Sequence, residues 1–137
     1  MMDNQCAHII SLPKYLDERG NLSFLENDGQ IPFAIKRVHW IYDVPGGMDR
    51  GGHAYKLTDE FIVALSGSFD VEIDDGVEKS VFPLNRSYYG LFVPKGLWRC
   101  MTNFSTNSLA LVLSSTDYDE ADYILDYDDF KAWRKQQ

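Results

Sequence analysis

Turn-forming clusters interrupt this chain again and again, at Glu18-Arg19-Gly20-Asn21, Asn27-Asp28-Gly29, Pro45-Gly46-Gly47, Ser66-Gly67-Ser68, Asp74-Asp75-Gly76 and Pro94-Lys95-Gly96. Between them lie short runs rich in Val, Ile, Phe, Tyr and Trp, the residues that pack well on a pleated surface. Nothing before Ser114 keeps a helical period long enough to compete, and there is no internal repeat or low-complexity linker. Many short strands divided by turns leave an all-β sandwich or barrel as the available architecture. The run from Phe61 to Glu78 reads as a meander of hairpins, with turns at Ser66-Gly67-Ser68 and Asp75-Gly76. The end of the chain differs. Thr116 to Glu120 has the composition of a capped turn, and the spacing of Phe130, Trp133 and Arg134 predicts a short amphipathic helix over Asp128 to Gln137.

A chain of 137 residues is the size of one domain, expected over residues 1–137. With 45% hydrophobic and 14% aromatic residues it can bury a core without disulfides or structural metal. Cys6 and Cys100 form no C-x-x-C pair, and the N-terminus lacks the basic and apolar regions of a signal peptide, so a reducing cytoplasm is the expected location. Every apolar stretch is broken within about six residues, well short of the roughly 20 that a membrane helix needs. The net charge of −8 disfavours nucleic acid as a partner. Seven of the acids lie between Ser114 and Phe130, where there is no Lys or Arg, and this stretch reads as a solvated face. The body is nearly neutral and holds Arg19, Lys36, Arg37, Arg50, Lys56 and Arg99, a setting for an anionic small molecule.

Two spaced motifs sharpen the fold. Gly47 is followed by His53, Tyr55, Glu60 and Gly67 at the intervals of the first cupin motif, in which a strand projects H-x-H inward and a Glu follows. Pro94-Lys95-Gly96 is followed by Arg99 and Asn103, resembling the second motif with Arg in the His position. The expected fold is therefore all-β: a small cupin-type, RmlC-like jelly-roll barrel with a short C-terminal helix. Residues 53 and 55 share a strand face, so both side chains point into the barrel. Only His53 and Glu60 remain of the four usual metal ligands, and a guanidinium cannot coordinate a cation. The expectation is no metal, since a catalytic site usually keeps three or more protein ligands.

A closer resemblance rests on Ile35-Lys36-Arg37-Val38, Arg50-Gly51-Gly52-His53-Ala54-Tyr55-Lys56, Gly90-Leu91-Phe92-Val93-Pro94 with Trp98-Arg99, and Tyr118-Asp119-Glu120-Ala121-Asp122-Tyr123-Ile124. Together, from about Leu12 to Phe130, these resemble the nucleotide-sugar 3,4-ketoisomerases of the WxcM-like cupin family. The resemblance implies a metal-independent isomerase without a cofactor, acting on a dTDP-4-keto-6-deoxyhexose. It implies that the carbonyl moves from C4 to C3 through an enediol or enediolate, in polysaccharide or O-antigen synthesis. It also implies a homodimer, commonly with exchanged N-terminal strands. The family usually has R-G-x-H-A-H-K, and this chain carries Tyr55 in place of the second His.

A 3,4-keto shift needs a base for the C3 proton, a donor for C4 and a partner for the oxyanion between them. His53 suits the proton transfers because an unperturbed imidazole titrates near 6.5. Tyr55 suits the donor side. His39, two residues after Arg37 on the same strand face, stands where the family often has Tyr; the expectation is that His39 and Tyr55 exchange roles. Arg19, Arg37, Arg50 and Arg99 are the candidates for substrate oxygens because a guanidinium donates in pairs and stays charged. Glu60 is expected to hydrogen-bond near Tyr55. The competing reading is a non-catalytic nucleotide-sugar or carbohydrate binding cupin; a metal-dependent cupin would need ligands beyond the two present.

Overall fold

The structure, a computed structural model, describes residues 6–137, so the first five residues of the expected domain lie outside the described residues. In chain order the elements are β1 (His8–Ser11), β2 (Lys14–Tyr15), β3 (Leu22–Ser23), β4 (Arg37–Tyr42), β5 (Arg50–Tyr55), β6 (Glu60–Ser66), β7 (Phe69–Asp74), β8 (Lys79–Leu84), β9 (Tyr89–Val93), β10 (Trp98–Thr102), β11 (Leu109–Ser114), β12 (Tyr123–Ile124) and α1 (Tyr127–Lys135). A 3₁₀ turn, Glu120–Asp122, precedes β12. Two five-stranded antiparallel sheets, in the orders β1-β9-β6-β11-β4 and β12-β5-β10-β7-β8, form the jelly roll, and β2 and β3 make a separate small hairpin. No helix among the described residues is long and apolar enough to cross a membrane.

The expected meander is only half present. Asp75-Gly76 does close a hairpin between β7 and β8, but β6 and β7 lie in different sheets. Gly67, at φ +65°, turns the chain across the sandwich instead of back along it; a Cβ there would meet Ser108 Cα at 2.8 Å. Ser68 N–H donates to Ser105 Oγ at 2.8 Å, fixing the corner. The sequence pattern agrees with this. Phe61-Ile62-Val63-Ala64 is buried on both faces, as a central strand must be, and lacks the alternation of a solvated hairpin.

Strand alternation sorts the interior lengthwise. Ile62, Ala64, Phe69, Val71, Ile73, Leu91, Met101, Ala110 and Val112 form the apolar core between the sheets. The same inward rows end in polar residues: Glu60 on β6, Ser114 on β11, Arg99 on β10, and Arg37 and His39 on β4. The far side of the first sheet is covered by the 12–35 segment, which packs Leu12, Ile31 and Phe33 on Phe61, Val63, Phe92 and Leu113.

The C-terminal helix forms as expected, a residue earlier than its sequence spacing placed it. Asp126 caps it by accepting from Asp129 N–H at 2.9 Å. Phe130, fully buried, seals the helix against Ala54 and Ile124 on the outer face of β5 and β12. Burying such a ring stabilises by about 1.5–3 kcal/mol, and it packs the back of β5, whose front carries the candidate site.

Candidate active site

A bulge breaks the pairing of β5 just before its candidate site residues. Its pairing with β10 slips between Arg99↔His53 and Met101↔Arg50. Gly51 sits in the slip at φ +76°, and a Cβ there would run into Arg99 Nη1. The bare backbone lets the Gly51 carbonyl accept from Arg99 Nη1 at 3.2 Å. Beyond the bulge, His53 and Tyr55 face the interior and Ala54 faces α1.

The floor of the site is an ion pair. Arg99 is 1% exposed and Glu60 fully buried; Arg99 Nε donates to Glu60 Oε1 at 2.7 Å and Nη2 to Oε2 at 2.8 Å. With Nη1 on the Gly51 carbonyl, all three guanidinium nitrogens are engaged. The expected roles change accordingly: Arg99 holds the floor instead of reaching for substrate oxygens, and Glu60 is taken by Arg99, acting on Tyr55 through its charge.

Above the floor stands an aromatic box. The His53 ring lies 4.8 Å from Tyr55, edge to face, and 5.1 Å from Tyr123. The Tyr55 hydroxyl donates to the Tyr123 hydroxyl at 3.1 Å. Tyr123 is held opposite Tyr55 by the pairing of β12 with β5. That pairing is anchored by buried Asp122, whose carboxylate accepts from Leu57 N–H at 2.7 Å and from the Thr58 hydroxyl. Tyr118 continues the row, 5.8 Å from Tyr123, and Arg37 reaches over its ring at 5.7 Å.

His39 does point inward. Arg37, His39 and Ile41 occupy the half-buried face of β4, while Val38, Trp40 and Tyr42 are exposed. The charges of Glu60, Arg99, Arg37 and Arg50 all act on the His39 ring, and burial lowers its pKa. His53 is pushed down to about 3, first by burial and then by the charges of Arg99, His39 and Arg37. Burial and Glu60 raise the Tyr55 hydroxyl far above its usual value. Both imidazoles are neutral, and Tyr55 holds its proton.

Among the described residues, the buried side-chain polar atoms without a partner are Arg37 Nε, His53 Nε2 and Ser114 Oγ. All three belong to this end of the barrel, and Ser114 pairs across to both Arg37 and Glu60. An unmade buried hydrogen bond costs about 1–3 kcal/mol, so their clustering makes this end of the barrel the candidate site for a ligand. The exposed side of the site carries Arg50, which lines a hollow of about 330 Å³ with Trp40, Tyr42 and Met48.

Arg19 is not brought here within the chain. It lies exposed in the turn between β2 and β3, paired with Asp17 at 2.8 Å. Tyr123 and Ser114, in contrast, belong to the site without having been singled out from the sequence. Tyr123 stood in a stretch read as packing and acidic surface, and the one signal for it was the Tyr118 to Ile124 resemblance.

The sequence model of the family described as FdtA: WxcM-like, C-terminal matches residues 5–135. The chain is 41% identical over 125 residues to a TDP-4-oxo-6-deoxy-alpha-D-glucose-3,4-oxoisomerase of Aneurinibacillus thermoaerophilus, covering 91% of this chain and 90% of that protein. A 3,4-ketoisomerase from Helicobacter canadensis superimposes with a TM-score of 0.92 at 40% identity, over 94% of this chain and 97% of that one. A mutant of the 3,4-ketoisomerase QdtA from Thermoanaerobacterium thermosaccharolyticum, solved with TDP-4-keto-6-deoxyglucose, superimposes with a TM-score of 0.94 at 32% identity, over 100% of this chain and 98% of that one.

Proposed function

The chain belongs to the FdtA, WxcM-like, C-terminal family, and from that membership we propose that it is a sugar 3,4-ketoisomerase. It converts a TDP-4-keto-6-deoxyhexose to the 3-keto isomer by acid/base catalysis. The observation that carries this reading is His53 on the inner face of β5, its ring between Tyr55 and Tyr123 and its buried Nε2 without a hydrogen-bond partner.

Neutral His53 is the base that takes the C3 proton and returns one at C4. A pKa of about 3 in the empty site makes it a weak base, and substrate corrects this. The diphosphate engages Arg37 and Arg50, and the enediolate brings negative charge beside Arg99. Burial, the larger cause of the low value, remains, while negative charge beside Arg37 and Arg99 offsets the part due to those cations, so the proton affinity of His53 rises as the carbon acid is attacked. His39, neutral and facing the same space from β4, serves the second proton position with Tyr55. The keto shift is redox-neutral within the sugar and calls for no cofactor.

The reaction runs without a metal. Supporting this, Glu60 gives both carboxylate oxygens to Arg99, and the guanidinium fills the place of a fourth ligand. The protein works as a homodimer in the cytoplasm, its product passing to transamination and then to polysaccharide or O-antigen synthesis. Exchange of β1 between subunits would carry the β2–β3 hairpin, and with it Arg19, toward the partner's site.

The test is incubation with TDP-4-keto-6-deoxyglucose in deuterated water, followed by NMR. The 3-keto isomer is expected, with deuterium at C4, and His53→Asn is expected to lower kcat about 100-fold or more. Turnover that survives His53→Asn unchanged overturns the assignment, and tight binding without any turnover would make the chain a binding module.

A further inference from the structure

A 3,4-keto shift moves two protons. One travels between carbons, and His53 accounts for it. The other leaves the O3 hydroxyl and arrives on O4, and Tyr55, assigned to that position with His39, makes its hydrogen bond to Tyr123 instead. Tyr55 alone is poorly suited, since its one oxygen would have to accept from O3 and donate to O4, and giving its proton first would leave a phenolate while taking O3's first would leave two protons on it. Its buried hydroxyl, beside the Glu60 carboxylate, resists ionisation strongly. A second hydroxyl removes the difficulty.

We propose that Tyr123 is a catalytic residue of this site, forming with Tyr55 a two-hydroxyl relay that carries the oxygen-bound proton from O3 to O4 without either tyrosine ionising. The proposal rests on the isomerase reading and deepens it. The two hydroxyls are hydrogen-bonded at 3.1 Å, Tyr55 donating to Tyr123, a spacing that lets one accept from O3 while the other donates to O4. Both rings touch His53, so the hydroxyl pair lies beside the group assigned to the carbon-bound proton. Tyr55 is buried and Tyr123 half-buried, so the pair spans from the floor of the site toward solvent.

The balance closes within the ring of four oxygens. The O3–H bond breaks and its proton joins one tyrosine. That tyrosine's own proton passes along the 3.1 Å hydrogen bond to the other, whose proton forms the new O4–H bond. Each tyrosine ends with one proton, as it began, while His53 moves the carbon-bound proton from C3 to C4. The substrate's carbonyl and hydroxyl exchange places, and nothing is oxidised or reduced overall.

A substantial local construction serves this one hydroxyl. β12 is two residues long, and its place beside β5 depends on the Lys56 N–H donating to the Asp122 carbonyl at 3.0 Å and on the Asp122 carboxylate. Tyr123 packs on two aromatic neighbours besides His53, so Phe can replace it without vacating the box.

The experiment compares the full-length protein with Tyr123→Phe, Tyr55→Phe and the double variant. Tyr123→Phe is expected to lower kcat about 100-fold with KM and thermal midpoint little changed. Deuterium wash-in at C3 should continue faster than product appears, because His53 still acts. The double variant should be no slower than the slower single one, since a relay fails as a unit. Rate against deuterium fraction should curve for the unmodified protein and become linear in Tyr123→Phe, a change that a merely structural role would not produce. An unchanged kcat in Tyr123→Phe overturns the relay alone. Failure of the unmodified protein to form any 3-keto product overturns the isomerase reading and the relay with it.

Discussion

Burial, together with the charges of Arg99, His39 and Arg37, pushes His53 down to about 3, and burial lowers His39 as well. In the unfolded chain both would titrate near 6.5. Below that pH the unfolded chain binds protons that the folded chain refuses, so stability must fall with pH. The contribution is complete above about 6.5 and is lost progressively as pH drops toward about 3. Urea midpoints measured from pH 7 to pH 4 should therefore decline, and His53→Asn should flatten part of that decline. An identical pH slope in the variant would contradict the environment assigned to His53. Strand period gave the shared face of His53 and Tyr55 and that of Arg37 and His39, but the inward direction came from the cupin motif and the family resemblance. The Arg99–Glu60 pairing was not, because β10 and β6 belong to different sheets and only the folded sandwich shows which acid a given Arg meets.

At the scale of elements, the acidic stretch after Ser114 has two sides. Asp117, Asp119, Glu120, Asp128 and Asp129 are exposed, as a solvated face requires. Asp122 instead turns inward and ties β12 to the start of the β5–β6 connection through Leu57 and Thr58. Composition cannot tell one acid from the others here, since only burial separates an anchoring carboxylate from a solvated one. Replacing it by Ala leaves the Leu57 N–H and the Thr58 hydroxyl without that partner, a cost of about 1–3 kcal/mol. Asp122→Ala should accordingly lower the thermal midpoint and kcat together, whereas Tyr123→Phe should lower kcat alone. A normal kcat in a clearly destabilised Asp122→Ala would show that the strap has no hold on the site. The crossing of β6 to β7 was misread as a hairpin for a comparable reason: a Gly-centred turn looks the same in sequence whether the chain returns within one sheet or passes to the other. What distinguished them was the two-sided burial of Phe61 to Ala64.

Across the whole molecule, the outward face of β4 is a conspicuous apolar surface among the described residues. β4 ends the first sheet, bonded only to β11, and its outward face presents Val38, Trp40 and Tyr42 at 47%, 58% and 62% exposure. Three large apolar residues in a row beside an open backbone edge make this face the candidate for the proposed dimer's contact, because such an edge left bare invites pairing. The inward face of the same strand carries Arg37 and His39. A partner that orders β4 from outside would therefore steady the catalytic wall from behind, which links the proposed dimer to the chemistry. Trp40→Glu places a charge at the centre of that row without touching the core, so the subunit should still fold. Sedimentation equilibrium should report a dimer for the unmodified protein and a shift toward monomer for Trp40→Glu, with kcat falling as the monomer fraction grows. If Trp40→Glu remains as dimeric as the unmodified protein, the subunits meet elsewhere and this face of β4 has no part in holding the site.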